Sequence, residues 1–314
     1  MLYRSLLFAI TVLSLSPTTS IDGAKDYYST NFRLEDGLML LHMEVNGKTG
    51  WFIFDTGAPG LVLNSNYFTE GKALDAQGDL VGIHGKIETV RVEHWQLKWT
   101  DFERSGKEAL VCDLSYLEND RNEEILGLVG LDVFQGYFVQ ICYNSQLFAI
   151  AKSLSQLDDT EDFQKLPIRK KANLIMIDME ANSSSIRLIV DTGSESNIID
   201  HLALRHFQLQ VKKVGERELV GGDGNIILTD EVEVPELTLL QEKVNNQRFL
   251  VSSLGSINYQ GEEQVHGILG RPFFGSRCII IDRSARNIYI SKGKQTRSPA
   301  KSTDSPVAGI LDIS

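Results

Sequence analysis

Trp51-Phe52-Ile53-Phe54-Asp55-Thr56-Gly57-Ala58 decides the fold, because the chain contains it twice. The second copy is Arg187-Leu188-Ile189-Val190-Asp191-Thr192-Gly193-Ser194, at an offset of 136 residues. The match starts upstream, where Leu41-His42-Met43-Glu44-Val45-Asn46-Gly47 parallels Ile177-Asp178-Met179-Glu180-Ala181-Asn182-Ser183. It resumes at an offset of 140, where Gly127-Leu128-Val129-Gly130-Leu131-Asp132-Val133-Phe134 parallels Gly267-Ile268-Leu269-Gly270-Arg271-Pro272-Phe273-Phe274. Val111 and Val251, Cys142 and Asp282, and Ile150 and Ile290 keep that second offset. Similarity at fixed spacing marks a duplicated structural unit.

Each copy consists of short apolar, β-branched segments broken by Gly, Asn and Asp. That composition predicts strands and turns with few helices. The polar centres, 46–50 and 182–185, read as hairpin turns. One short helix is expected after each Gly-x-x-Gly. In both copies an Asp follows an unbroken apolar run, as at the end of a strand covered on both faces. Thr and Gly come next. The glycine lets the backbone turn sharply, and the threonine offers a hydroxyl to tie the turn to a neighbour.

A lone buried carboxylate is costly. Two related lobes packed about a pseudo-two-fold axis bring both carboxyls together. Like charges in contact cannot both ionise easily, so the pair shares a proton. The ionised member can take a proton from water, and the protonated member can give one to a carbonyl or a leaving amine.

Both copies resemble the aspartic peptidase signature, in which Asp-Thr-Gly after an apolar strand is braced by a later apolar-apolar-Gly element. Leu128-Val129-Gly130 and Ile268-Leu269-Gly270 match that element. The likeness covers nearly all of residues 35–292 and is nearest to bacterial retropepsin-like proteins with two lobes fused in one chain. It implies an all-β fold of two similar retropepsin/pepsin-like acid protease lobes. It implies a dyad of Asp55 and Asp191, with Thr56, Gly57, Thr192, Gly193 and Ser194 supporting the catalytic turns. The mechanism it carries needs no cofactor and no metal.

The resemblance also implies two β-hairpin flaps, with tips at Gly82, Ile83, His84 and Gly85 and at Gly221, Gly222, Asp223 and Gly224. His84 is read as a solvated surface histidine. By analogy, the Ser194 hydroxyl is expected on the outer oxygen of Asp191, favouring charge on Asp191 and the proton on Asp55. The implied partner is a peptide or protein substrate, and the chain is expected to be a monomer containing an intramolecular pseudo-dimer.

The rest of the sequence sets bounds. Of 314 residues, 42% are hydrophobic, and the net charge is −11. Such acidity argues against nucleic acid or an anionic membrane as the main partner. Arg4, the apolar run from Ser5 to Leu15 and the small polar residues to Ser20 have the layout of a secretory signal peptide over 1–20, too short to span a bilayer. The expected location is therefore secreted, periplasmic or cell-envelope. The lobes are placed at 27–150 and 165–292, with a linker at 151–164 and a flexible tail at 293–314. Three cysteines do not make a disulfide framework; the sequence leaves room for one bridge without saying which, and the plainer reading is small buried hydrophobes. No Gly-x-Ser-x-Gly elbow or zinc-ligand spacing is present. The alternative to an endopeptidase is a catalytically inactive peptidase-fold module that binds a peptide or protein.

Overall fold

The computed structural model describes residues 4–6, 25–69, 73–83, 85–118, 123–157, 162–259, 263–275 and 277–292. A short strand β1 (Arg4–Leu6) precedes the first lobe. That lobe holds β2 (Tyr27–Asn31), β3 (Arg33–Glu35), β4 (Leu38–Val45), β5 (Lys48–Phe54), β6 (Leu61–Asn64), β7 (Ala73–Gly82), β8 (Gly85–Trp99), β9 (Phe102–Cys112), β10 (Ile125–Val129), β11 (Phe138–Cys142) and β12 (Leu147–Ala151). The second holds β13 (Phe163–Pro167), β14 (Arg169–Lys171), β15 (Leu174–Ala181), β16 (Ser184–Val190), β17 (Ile198–Asp200), α1 (His201–His206), β18 (Lys212–Val220), β19 (Ile226–Leu239), β20 (Glu242–Ser252), α2 (Gly255–Asn258), β21 (Gly267–Leu269), α3 (Arg271–Phe274), β22 (Cys278–Asp282) and β23 (Asn287–Ser291).

The repeat is realised strand for strand. The first lobe's sheet runs β3-β4-β5-β10-β6-β9-β8-β7, and the second runs β14-β15-β16-β21-β17-β20-β19-β18 with β1 added parallel along its outer edge. Strands β2 to β5 recur as β13 to β16 with every boundary moved by 136, and β11 and β12 recur as β22 and β23 moved by 140. The β4–β5 turn is Asn46-Gly47 and the β15–β16 turn is Asn182-Ser183, all four residues at positive φ. Such two-residue turns match strand twist. They are tighter than the 46–50 and 182–185 spans expected, because Lys48 and Ser184 already begin the next strand.

A third sheet, β13-β23-β22-β11-β12-β2, joins the lobes. Its centre is the antiparallel pair β11 and β22, with Gln140 opposite Ile280 and Cys142 opposite Cys278. Those two cysteines form a disulfide with Cα atoms 4.1 Å apart. The reading of all three cysteines as plain hydrophobes therefore holds only for Cys112, which is free and buried. The antiparallel crossing is the reason: it sets the last residue of β11 against the first of β22.

The doubly covered runs before each Asp divide their side chains between separate cores. Phe52 and Phe54, with Leu188 and Val190, enter a central cluster that continues into the six-stranded sheet. Ile53 and Ile189 point to smaller clusters, one in each lobe. Helices are few, as composition implies. A 3-10 turn at Leu131–Phe134 and α3 occupy the positions expected after each Gly-x-x-Gly. The α1 helix is an addition, and the Asp200 side chain caps it by accepting from the Leu202 N–H at 2.7 Å.

The proposed linker is narrower than 151–164, since Ala151 closes β12 and Phe163 opens β13. Of the leader placed at 1–20, only Arg4–Leu6 lies among the described residues, and the tail at 293–314 lies outside them.

The disulfide spans a sequence separation of 136 residues. Reduction is expected to cost about 2–4 kcal/mol of unfolding free energy, from restored freedom of the unfolded chain. Denaturant titration with and without reductant measures this, and unchanged native circular dichroism after reduction shows that the six-stranded sheet persists without the bond.

Candidate active site

Each apolar strand, β5 or β16, ends at its aspartate in the middle of the molecule. The Asp55 N–H donates to the Val129 carbonyl at 3.0 Å, and the Asp191 N–H to the Leu269 carbonyl at 2.9 Å. The brace continues at the following glycines. The Gly130 N–H donates to the Gly60 carbonyl at 2.6 Å, and the Gly270 N–H to Asn197 Oδ1 at 3.0 Å. A methyl on Gly130 would stand 2.2 Å from the Ala58 carbonyl oxygen, and one on Gly270 would stand 2.5 Å from that of Ser194. No residue with a Cβ fits so close an approach, which is why both braces end in glycine.

The two threonines interlock. The Thr56 N–H donates to Thr192 Oγ1 at 3.0 Å, and the Thr192 N–H donates to Thr56 Oγ1 at 3.0 Å. The Thr56 hydroxyl donates to the Val190 carbonyl at 2.7 Å, and that of Thr192 to the Phe54 carbonyl at 3.2 Å. Four bonds thus cross the lobe boundary, all buried. They bring the aspartates together: a methyl on Gly193 would lie 2.5 Å from the Asp55 carboxyl carbon.

Both carboxyls are fully buried, and they lie close enough for each to alter the other's proton affinity. One oxygen of each is held within its own turn, Asp55 Oδ1 by the Gly57 N–H at 2.6 Å and Asp191 Oδ1 by the Gly193 N–H at 2.9 Å. Neither Oδ2 receives a bond from any protein N–H or hydroxyl among the described residues. Desolvation is the largest effect on both groups. It drives Asp55 well above the ordinary 3.8, and the neighbouring Asp191 charge raises it further. Asp191 is pushed up to about 6, with the Asp55 carboxyl and the Gly193 and Ser194 N–H groups holding it back. Both are held above the ordinary carboxylate range, so the two titrate as one coupled pair that shares a proton.

The hydroxyl bond expected on Asp191 is not made. The Ser194 hydroxyl donates to the Ser196 carbonyl at 2.6 Å and braces the turn, so it does not bond Asp191.

The flap candidates sit at two hairpin tips. Gly82 pairs with Gly85 at the end of β7 and β8, and Ile83 lies in the tip. His84 lies outside the described residues. Gly221, Gly222, Asp223 and Gly224 connect β18 to β19, and Asp223 holds the turn by accepting from the Asn225 N–H at 3.1 Å. Both flaps lie across the opposite lobe. Ile83 is buried in the second lobe's apolar cluster, and Val220 in the first lobe's. A cavity of about 230 Å³ opens elsewhere, beside the Asp132–Arg283 ion pair, and no dyad residue lines it.

Three polar residues near the site carry no motif in the sequence. Asn173 Nδ2 donates to the Gly57 carbonyl at 2.8 Å, tying the second lobe's β14–β15 turn to the first lobe's catalytic turn. Tyr116 and Ser256 approach the flap tips. The signal for the last two is their spacing of 140 residues, the offset of the second half of the repeat.

A family model described as aspartyl protease matches residues 41–133 and 177–273, one span in each lobe. The chain belongs to the aspartyl protease family. The fold is also similar to that of a solved structure, the aspartic proteinase from Irpex lacteus, at a TM-score of 0.53 and 12% identity over 85% of this chain and 97% of that one. No curated protein matches the sequence.

In this aspartyl protease the threonine lock is testable directly. Thr56→Ala removes the acceptor for the Thr192 N–H and the donor to Val190, so a loss of about 2–4 kcal/mol is expected in chemical denaturation. Thr56→Ser, which keeps the hydroxyl, should recover most of it. The dyad also predicts a pH dependence of stability. An acid whose pKa is raised on folding binds more protons folded than unfolded, so stability falls as pH rises. For Asp191 the window runs from 3.8 to about 6, at a cost on the order of 3 kcal/mol. Thermal unfolding should show that decline in the wild type and a flatter profile in Asp191→Asn.

Proposed function

We propose that this protein is a secreted aspartic endopeptidase in which Asp55 and Asp191 together activate water against a peptide bond. The observation that carries the reading is the pair of fully buried carboxyls, one from each lobe's Asp-Thr-Gly turn, set beside each other with proton affinity raised by burial. Asp191, ionised, takes the proton of a water lying between the carboxyls. Asp55, protonated, donates to the scissile carbonyl oxygen as the water oxygen bonds to its carbon. The resulting gem-diol collapses when the nitrogen receives a proton from the dyad and the C–N bond breaks. Each turnover returns one proton to the pair, so no other reactant is needed. Burial strengthens the charge interactions involved. Secretion is supported by the leader-like run at the N-terminus.

Hydrolysis of a peptide library by the purified chain, followed from pH 3 to 8, tests the proposal. The rate is expected to rise with pH through about 6, as Asp191 loses its proton. It should fall again once Asp55 ionises, since no proton then remains to donate to the carbonyl oxygen. Asp55→Asn and Asp191→Asn should each lower the rate on the order of 10²–10⁴-fold while leaving the fold intact. Cleavage that survives either substitution refutes the dyad. A folded wild type that binds peptides but cleaves none would be a binding module.

A further inference from the structure

Two hydroxyls at equivalent places in the lobes meet the two flap tips. Tyr116 lies in the 3-10 turn after β9, and Ser256 lies in α2 after β20. Tyr116 Oη donates to the Gly222 carbonyl at 2.7 Å. Ser256 Oγ donates to the Ile83 carbonyl at 3.1 Å. The donors are 140 residues apart and the acceptors 139, so the two bonds follow the internal repeat. The donors are nevertheless different residue types. What is repeated is the geometry, a hydroxyl from one lobe on the tip carbonyl of the other lobe's flap.

Packing reinforces each bond. Ile83 is 4% exposed, among Leu174, Leu254, Ile257 and Ile268 of the second lobe. Val220 is 7% exposed, among Leu40, Leu114 and Leu117 of the first. Gly224, at φ +75, carries the second tip over the Tyr116 ring, where a Cβ would stand 3.3 Å from the ring. Both carboxyls have zero exposure, so a peptide reaches them only if the surrounding structure moves.

We propose that Tyr116 and Ser256 are latches, each holding the opposite lobe's flap closed over the dyad in the substrate-free protein. Opening breaks one hydroxyl–carbonyl bond per flap and withdraws Ile83 or Val220 from the facing lobe. The latches differ in strength and surroundings, so the flaps open independently. The lobe-two flap is held by a rigid phenol lying under Gly224. The lobe-one flap is held by a small hydroxyl and by the Ile83 side chain, for which the second tip has only Gly222. The gate serves the peptidase site proposed above, but its two readouts below do not depend on cleavage, so each idea can fail alone.

Hydrogen exchange on the intact folded chain tests the latches, with Tyr116→Phe keeping the ring and Ser256→Ala removing only the hydroxyl. Losing one such bond should raise local opening roughly 5- to 10-fold. Tyr116→Phe should speed exchange at 221–225 and leave 82–86 unchanged. Ser256→Ala should do the reverse. Exchange in β11 and β22 serves as the internal reference and should not move. Carbodiimide coupling of an amine to Asp55, followed by mass spectrometry, reads access to the dyad and should accelerate by a similar factor in each variant. Equal acceleration of both flaps by one substitution, or none in either, overturns the proposal. So does segment-specific acceleration without faster labelling of Asp55, because the hydroxyls would then not control access.

Discussion

Thr56 and Thr192 hold each other across the lobe boundary, and the rest of the molecule is arranged around that contact. Each hydroxyl accepts from the opposite threonine's N–H and donates to a carbonyl at the end of the opposite apolar strand. A buried hydroxyl has one donor and limited acceptor capacity, and here both are used. The exchange fixes the separation of β5 and β16, and with it the contact between two carboxyls that neither lobe could bury alone. The apolar-apolar-Gly braces hold each turn from behind. The six-stranded sheet and its disulfide also join the lobes, and Phe54, beside Asp55, packs on Phe148 of that sheet. Position and charge are therefore set by the same few backbone segments.

The electrostatics follow from that burial. Water is replaced around both carboxyls, and a few backbone N–H groups of each turn stand in for it. The remaining need is met by sharing a proton, which is what prepares the pair for acid–base work. The residue after each glycine supplies no side-chain bond to either carboxyl. Ala58 has no hydroxyl, and the Ser194 hydroxyl is committed to Ser196.

Much of this was legible in the repeat. The duplication into two lobes, the Asn-centred hairpins and the Gly braces all follow from reading one half against the other, because equivalent residues do equivalent work. The reading fails where work is shared between unlike residues. Cys142 aligns with Asp282, and Cys278 with Phe138, so comparing like with like never pairs the cysteines. Only the antiparallel crossing of β11 and β22 does so. Ser194 misleads for a related reason: its neighbour in sequence is the aspartate, but its nearest acceptor is a carbonyl two residues further on. Asn173 holds a carbonyl in the other lobe, a contact with no local pattern at all. The α1 helix, six residues long, is too short to show a period.

The short connection from β12 to β13 has a consequence for how this molecule can change over time. In a symmetric dimer of identical chains, one codon change alters both halves of the cleft at once. Here each half has its own codons. Ala58 faces Ser194, Ile83 faces Gly222 and Tyr116 faces Ser256 across the pseudo-axis. One side of the binding groove can drift towards a new partner while the other keeps the old one, which is open to selection only in a fused gene.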